Sequence, residues 1–85
     1  MTIEKVGEFI EKKQTDNALV KISFKIRSSI NGTFIQSSDF EELSRKNLWR
    51  VVIDTHFDTF RKTNDMNLSR IYNGAGFKKL ELTKT

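Results

Sequence analysis

The chain has 85 residues, of which 36% are hydrophobic, 31% charged and 11% aromatic, and it contains neither cysteine nor proline. This length predicts a single domain over residues 1–85, and the lack of cysteine excludes disulfides, thiolate metal sites and cysteine nucleophiles. A formal net charge of +4 modestly favours an anionic partner such as nucleic acid. No apolar run approaches the roughly 20 residues that cross a bilayer. Acidic residues near the N-terminus are atypical of a signal peptide, so we expect a soluble cytoplasmic protein without a membrane partner.

The first predicted element is an amphipathic helix that Thr2 caps and that runs to about Lys13. Its apolar residues recur at helical spacing and form one stripe: Ile3, Val6, Phe9 and Ile10. Residues 14–17 show no periodicity and are predicted to end the helix.

A β-hairpin is predicted next, because residues 19–27 alternate between apolar and polar side chains. The positions predicted to face the core are Val20, Ile22, Phe24 and Ile26. The positions predicted to form a polar, mostly basic outer face are Lys21, Ser23, Lys25 and Arg27. The pair Asn31-Gly32 favours a turn, and residues 33–36 then form the return strand.

A short helix and a central strand follow the hairpin. Ser38 and Glu41 have the spacing of a capping box for a helix that ends near Asn47. Residues 48–53 are nearly all apolar and β-favouring, which indicates a strand with both faces covered. A second capped helical segment is predicted from Thr55, with a break over residues 61–64.

The last third of the chain allows two interpretations of residues 66–73. A helix capped by Asp65 is preferred, and a strand that shows Leu68, Arg70 and Tyr72 on one side is the alternative. Residues 77–83 are predicted to form the last strand, with Phe77 and Leu80 on opposite faces. The residues expected in the core are Ile22, Phe24, Trp49, Val51 and Leu80.

These elements predict an α+β domain, in which an N-terminal helix and short helices accompany a mostly antiparallel sheet of about four strands. A small, strongly bent barrel of the SH3 or Sm kind is the alternative architecture. This comparison concerns the fold alone, because function does not follow from fold.

Two local patterns resemble functional sites. If the segment is extended, Asp54, His56 and Asp58 project to one face and can be read as metal ligands or an acid–base pair. A loop that follows a strand explains the same residues, so we predict no metal, no cofactor and no enzyme activity. The glycine pair Gly74 and Gly76 precedes lysines, but its spacing does not match a phosphate-binding loop. We predict a tight turn there that uses glycine for positive φ.

The mixture of basic and aromatic residues is the feature with the strongest functional implication. Cations can contact phosphates while an exposed aromatic, Trp49 or Tyr72, stacks on bases. The candidate nucleic-acid-binding residues are Lys21, Lys25, Arg27, Arg50, Arg61, Lys62, Arg70, Lys78 and Lys79. No motif determines the function, and two hypotheses remain: a nucleic-acid-binding accessory module, or a module that binds another protein or itself. The pattern predicts no small-molecule ligand.

Overall fold

The computed structural model describes residues 1–12 and 18–83. Within these ranges the helices are α1 (Ile3–Lys12), α2 (Phe40–Arg45) and α3 (Asp54–Thr63). The strands there are β1 (Val20–Phe24), β2 (Ile30–Phe34), β3 (Leu48–Ile53), β4 (Arg70–Asn73) and β5 (Phe77–Leu82). The predicted helix end at Lys13 and the break after it lie outside the described residues.

The strands form one antiparallel sheet in the order β4-β3-β2-β1-β5. The predicted α+β class with an N-terminal helix is therefore confirmed, with five strands instead of about four. Thr2 caps α1 as predicted, since its Oγ1 accepts a hydrogen bond of 3.2 Å from the amide of Lys5. In the described part of the chain, no helix has the length and apolar character needed to cross a membrane.

The sheet is strongly curled. Strands β4 and β5 occupy its opposite edges, which in a flat sheet lie about 19 Å apart. Yet only Gly74–Gly76 join Asn73 to Phe77, and four residue steps reach at most about 14 Å. The two edges must therefore approach each other. The sheet has the strong bend that the barrel alternative predicted. It is not a closed barrel, because β4 and β5 do not pair within the described residues.

The concave face of the sheet carries the hydrophobic core, which α1 covers. Trp49 is 2% exposed, and the aromatic ring of Phe40 at the start of α2 packs edge-on against it at 5.9 Å. The buried cluster consists of Val6, Ile10, Val20, Ile22, Phe34, Trp49, Val51, Phe77 and Leu80. Four of the five predicted core residues are thus confirmed. The fifth, Phe24, is half-buried and packs against the cluster.

The predicted hairpin exists, but its turn lies elsewhere. Strand β1 ends at Phe24, residues 25–29 form the connection, and Ile26 is 97% exposed rather than in the core. The amide of Lys25 donates to the carbonyl of Gly76 at 3.0 Å, which leads the chain away from β2. The predicted turn residue Gly32 lies inside β2. A Cβ there would come within 2.6 Å of Val51 Cγ1, so glycine lets β2 pack closely against β3.

Strand β5 contains a bulge that strict alternation does not predict. Lys79 pairs with Ser23 and Phe77 pairs with Phe24, so Lys78 is an extra residue on this strand. Phe77 and Leu80 are therefore both buried on the concave face, whereas alternation placed them on opposite faces. The extra residue also explains why the two buried residues of this strand, Phe77 and Leu80, are three positions apart.

The predicted central strand is confirmed, because β3 lies between β2 and β4. The predicted capping box does not form. The N-cap residue of α2 is Asp39, whose carboxylate turns toward Arg50 instead of the helix. Asn47 ends the α2 region as expected, with a left-handed φ of 60°.

The preferred helical interpretation of residues 66–73 is wrong. A short 3₁₀ turn, Met66–Leu68, is followed by β4, which matches the strand alternative with Arg70 and Tyr72 on one side. Pairing with β3 decides the outcome, since a segment with both helical and alternating spacing follows its tertiary partner. The predicted break over 61–64 is also misplaced, because α3 continues to Thr63 and ends at Asn64 with a φ of 53°.

Candidate nucleic-acid interface

A concavity of about 560 Å³ lies at the edge of the core, beside Phe24 and Tyr72. We call it the β4 concavity. It forms because the β1–β2 connection folds back over the curled sheet and meets β4. Its lining residues are Arg27, Ile30, Ile53, Arg70, Ile71 and Tyr72.

Three aromatic rings pack together next to the β4 concavity. The rings of Phe24 and Tyr72 lie 5.7 Å apart, and Phe77 meets Phe24 edge-on at 5.6 Å. The guanidinium carbon of Arg27 lies 5.0 Å from the ring centre of Phe24 and 5.8 Å from that of Tyr72. Both distances fall within the range of about 6 Å for cation–π attraction. The rings therefore hold the Arg27 side chain at the concavity.

The β4 concavity has two cations that are free to meet a ligand. Arg27 and Arg70 are both exposed, and neither forms an ion pair with any residue in ranges 1–12 and 18–83. Arg70 lies on β4 and Arg27 in the β1–β2 connection, and the curvature of the sheet brings both to the same concavity. The apolar part of the lining comes from Ile30, Ile53 and the half-exposed Ile71.

Arg50 is unavailable to a ligand because it belongs to an internal ion pair. Its Nη2 lies 2.7 Å from Asp39 Oδ2, its Nε donates to the same carboxylate, and its Nη1 donates to Ser69 Oγ at 3.2 Å. The guanidinium of Arg50, assisted by the hydroxyl of Ser37, lowers the pKa of Asp39 from 3.8 to about 2. Arg50 therefore stabilises the β2–α2 connection.

The other predicted cations do not join the β4 concavity. Lys21 alternates with the core residues of β1 and so lies on the convex face, with Lys79 nearby. Lys79 lies 3.8 Å from Glu81, a weak surface pair. Lys25, Lys78, Arg61 and Lys62 are exposed, but they do not line it. The expectation that Lys21, Lys25 and Arg27 share one strand face is wrong, because β1 ends before Lys25.

Only one of the two candidate stacking aromatics is accessible. Trp49 is buried in the core, and its Nε1 donates to Asn47 Oδ1 at 2.8 Å. Tyr72 is half-buried and lines the β4 concavity. Tyr72 is therefore the side chain that can offer a ring to a base.

The structure places the two motif-like patterns on helix α3 and in the turn between β4 and β5. Asp54 and Asp58 are four residues apart on α3 and share one side of the helix, but His56 lies two residues from each and points elsewhere, so the three side chains do not converge. Within the described ranges no group of three His, Asp or Glu residues can hold a metal. The glycine pair forms a tight turn as predicted, but no described glycine has positive φ. Gly74 is required because a Cβ there would collide with Asn47 Oδ1 and lie 2.7 Å from Trp49 Nε1.

Local pattern identified Arg27, Arg70 and Tyr72 individually, but no sequence signal indicated that they meet. The chain matches no protein-family model, and no curated protein or solved structure is significantly similar to it. We therefore infer function from the geometry of the β4 concavity.

Proposed function

We propose that the protein is a small cytoplasmic module that binds single-stranded nucleic acid in the β4 concavity. The observation that carries the proposal is the Arg27 guanidinium held over Phe24 and Tyr72, with the exposed Arg70 lining the same concavity. This arrangement combines a stacking surface with positive charge, which is how proteins hold unpaired bases and their phosphates.

Each side chain has a separate part in the proposed complex. A base stacks on the Arg27 guanidinium or on the Tyr72 ring, and Arg70 meets the adjoining phosphate. The isoleucines Ile30, Ile53 and Ile71 contact the apolar faces of base and sugar. Two cations in one small concavity suit a few nucleotides of single strand. Duplex binding instead relies on many phosphate contacts.

The proposal assigns no catalytic step. The residues that line the β4 concavity are arginine, isoleucine and tyrosine, which serve binding through charge, apolar contact and stacking. The module thus acts by holding its partner.

The test measures fluorescence anisotropy of labelled DNA and RNA single strands of about 10 nucleotides, with a duplex for comparison. Titrations are run at about 50 and about 200 mM salt, and we expect affinity for single strands to fall with salt. The double variant Arg27→Gln/Arg70→Gln should weaken binding by tenfold or more, an effect of the size of about one charged hydrogen bond.

The matched control is Lys21→Gln/Lys62→Gln, which removes the same charge away from the β4 concavity. We expect this control to weaken binding by less than about threefold, since it changes only the general attraction. Equal losses in the two double variants, or no salt-dependent binding by the wild type, would contradict the proposed site.

Self-association is the second candidate function, and specific exposed residues support it. Ile71 on edge strand β4 is 46% exposed, and Leu82 on edge strand β5 is 44% exposed. Unpaired strand edges with apolar side chains can pair with a second copy. A light-scattering mass of two chains, together with no nucleic-acid binding, would favour this function over the first.

A further inference from the structure

A second cleft, of about 400 Å³, lies on the convex face of the sheet between β2 and α3. We call it the β2–α3 cleft. Its volume is within the range of small-molecule sites, about 300–1,000 Å³. It lies on the opposite face of the sheet from the core, and it shares no lining residue with the β4 concavity.

The β2–α3 cleft contains an unsatisfied polar group. Thr33 lines it and is 1% exposed, and its Oγ1 is buried without a hydrogen-bond partner among residues 1–12 and 18–83. No other buried side-chain nitrogen or oxygen in the described residues lacks a partner. Buried hydroxyls normally have partners, and valine would fill the same volume without this penalty. A ligand atom that bonds Oγ1 gives the hydroxyl a role, and because Oγ1 is buried the bond forms only when the side chains that cover it move aside.

Helix α3 supplies an apolar wall and a single charge to the β2–α3 cleft. Phe57 and Phe60 are three residues apart, so both half-buried rings lie on one side of α3 and line the cleft. The guanidinium carbon of Arg61 lies 5.8 Å from the ring centre of Phe57. Arg61 is the only charged residue of the lining and forms no ion pair within residues 1–12 and 18–83.

Polar amides complete the rim. The backbone amide of Asn64 donates to the carbonyl of Phe60 at 2.7 Å, and this left-handed residue ends α3 beside the cleft. Gln36 lines the β2 side. Both side chains can bond a polar head group whose charge Arg61 neutralises.

We propose that the β2–α3 cleft binds a small amphipathic anion. A ring-sized apolar body packs against Phe57 and Phe60, and one carboxylate or phosphate group pairs with Arg61. A polar atom at the far end of the ligand bonds Thr33 Oγ1 after the side chains that cover this hydroxyl move aside. This site is independent of the nucleic-acid proposal. Nothing in the sequence pattern predicted it, because β2 and α3 contribute side chains that are distant along the chain.

The test follows amide NMR spectra of isotope-labelled protein during titration with para-hydroxyphenylacetate. A ligand of this size should bind with a Kd near 1 mM and shift the amides around the β2–α3 cleft. The neutral para-hydroxyphenylacetamide should bind at least about tenfold more weakly, since it lacks the charge that Arg61 recognises. Phenylacetate and phenyl phosphate serve as further probes, and the tighter of these two identifies the preferred head group.

Three variants separate the site from general attraction to a basic surface. Arg61→Gln should weaken para-hydroxyphenylacetate binding about tenfold, whereas Lys62→Gln, the next residue on the exposed helix, should leave it unchanged. Thr33→Val should weaken the hydroxylated probe about fivefold and leave phenylacetate unaffected. Shifts spread over the surface, equal effects of Arg61→Gln and Lys62→Gln, or unchanged binding of the hydroxylated probe to Thr33→Val would each overturn the proposal.

Discussion

The two faces of the curled sheet differ in how completely they are covered. The concave face and α1 bury a continuous cluster that includes Trp49 and Phe77. Helix α3 packs against β2 and β3 on the convex face, yet it contributes no buried residue of its own. Beneath it lie Val52 and the unsatisfied hydroxyl of Thr33. The comparison indicates that the concave core stabilises the fold, while the convex face keeps an open cleft beside polar groups.

The same contrast appears at the rim of the concave face. Towards α1 the core is closed, and towards β4 it ends in the rings of Phe24 and Tyr72 under Arg27. The residues of the proposed binding site thus lie where helical cover stops. This is the usual relation between a packed scaffold and the loops that it positions.

Neighbouring valines on β3 give the largest expected effect and the most direct test of this comparison. Val51 and Val52 are both fully buried, and they point to opposite faces. Val51→Ala should lower the free energy of unfolding by about 2–3 kcal/mol, because its cavity opens in a closed core. Val52→Ala should cost about 1–2 kcal/mol, because α3 can settle into the space. Urea denaturation of both variants measures the difference. Equal losses would show that the two faces are packed alike.

The ion pair between Asp39 and Arg50 gives a pH-dependent test. Because the pKa of Asp39 falls from 3.8 to about 2 on folding, its ionised form stabilises the native state above about pH 4. This contribution is lost as pH falls through about 2. The stability advantage of wild type over Asp39→Asn, measured by urea denaturation, should therefore shrink between about pH 5 and pH 2. A constant advantage over this range would mean that the charge of Asp39 is unimportant.

A glycine substitution in α1 has the smallest expected effect. Unlike the valine substitutions, it should stabilise the protein. A Cβ at Gly7 would meet no atom within 4 Å. Gly7→Ala should therefore raise the free energy of unfolding by about 1 kcal/mol through helix propensity. Gly32→Ala is the matched control and should destabilise the protein, since its Cβ would lie 2.6 Å from Val51 Cγ1. Thermal unfolding compares both. Loss of stability in Gly7→Ala would reveal that α1 tolerates no added volume.

Some site residues were predictable, while their arrangement was not. Arg27, Arg70 and Tyr72 stand out in the sequence as cations and an aromatic residue. The same reasoning also selected Arg50, which forms an ion pair with Asp39. Whether an arginine is free or paired depends on which carboxylate the fold brings near it. Local spacing contains no information about that distance.

Local periodicity determined the elements with one clear pattern. The amphipathic stripe specified α1 and alternation specified β1, because burial of one side imposes a period on an element's residues. The apolar run specified β3, because a strand covered on both faces has no polar side. The same patterns predicted Ile22, Trp49, Val51 and Leu80 in the core, where the structure places them.

Tertiary structure alone decided the remaining features. Pairing with β3 made residues 70–73 a strand, and pairing with β1 forced the bulge at Lys78. The curl of the sheet brought Arg27 to Tyr72, and the approach of α3 to β2 enclosed Thr33. Each of these outcomes depends on contacts between residues distant in the chain, and their free energy outweighs the local preferences that a sequence pattern reports.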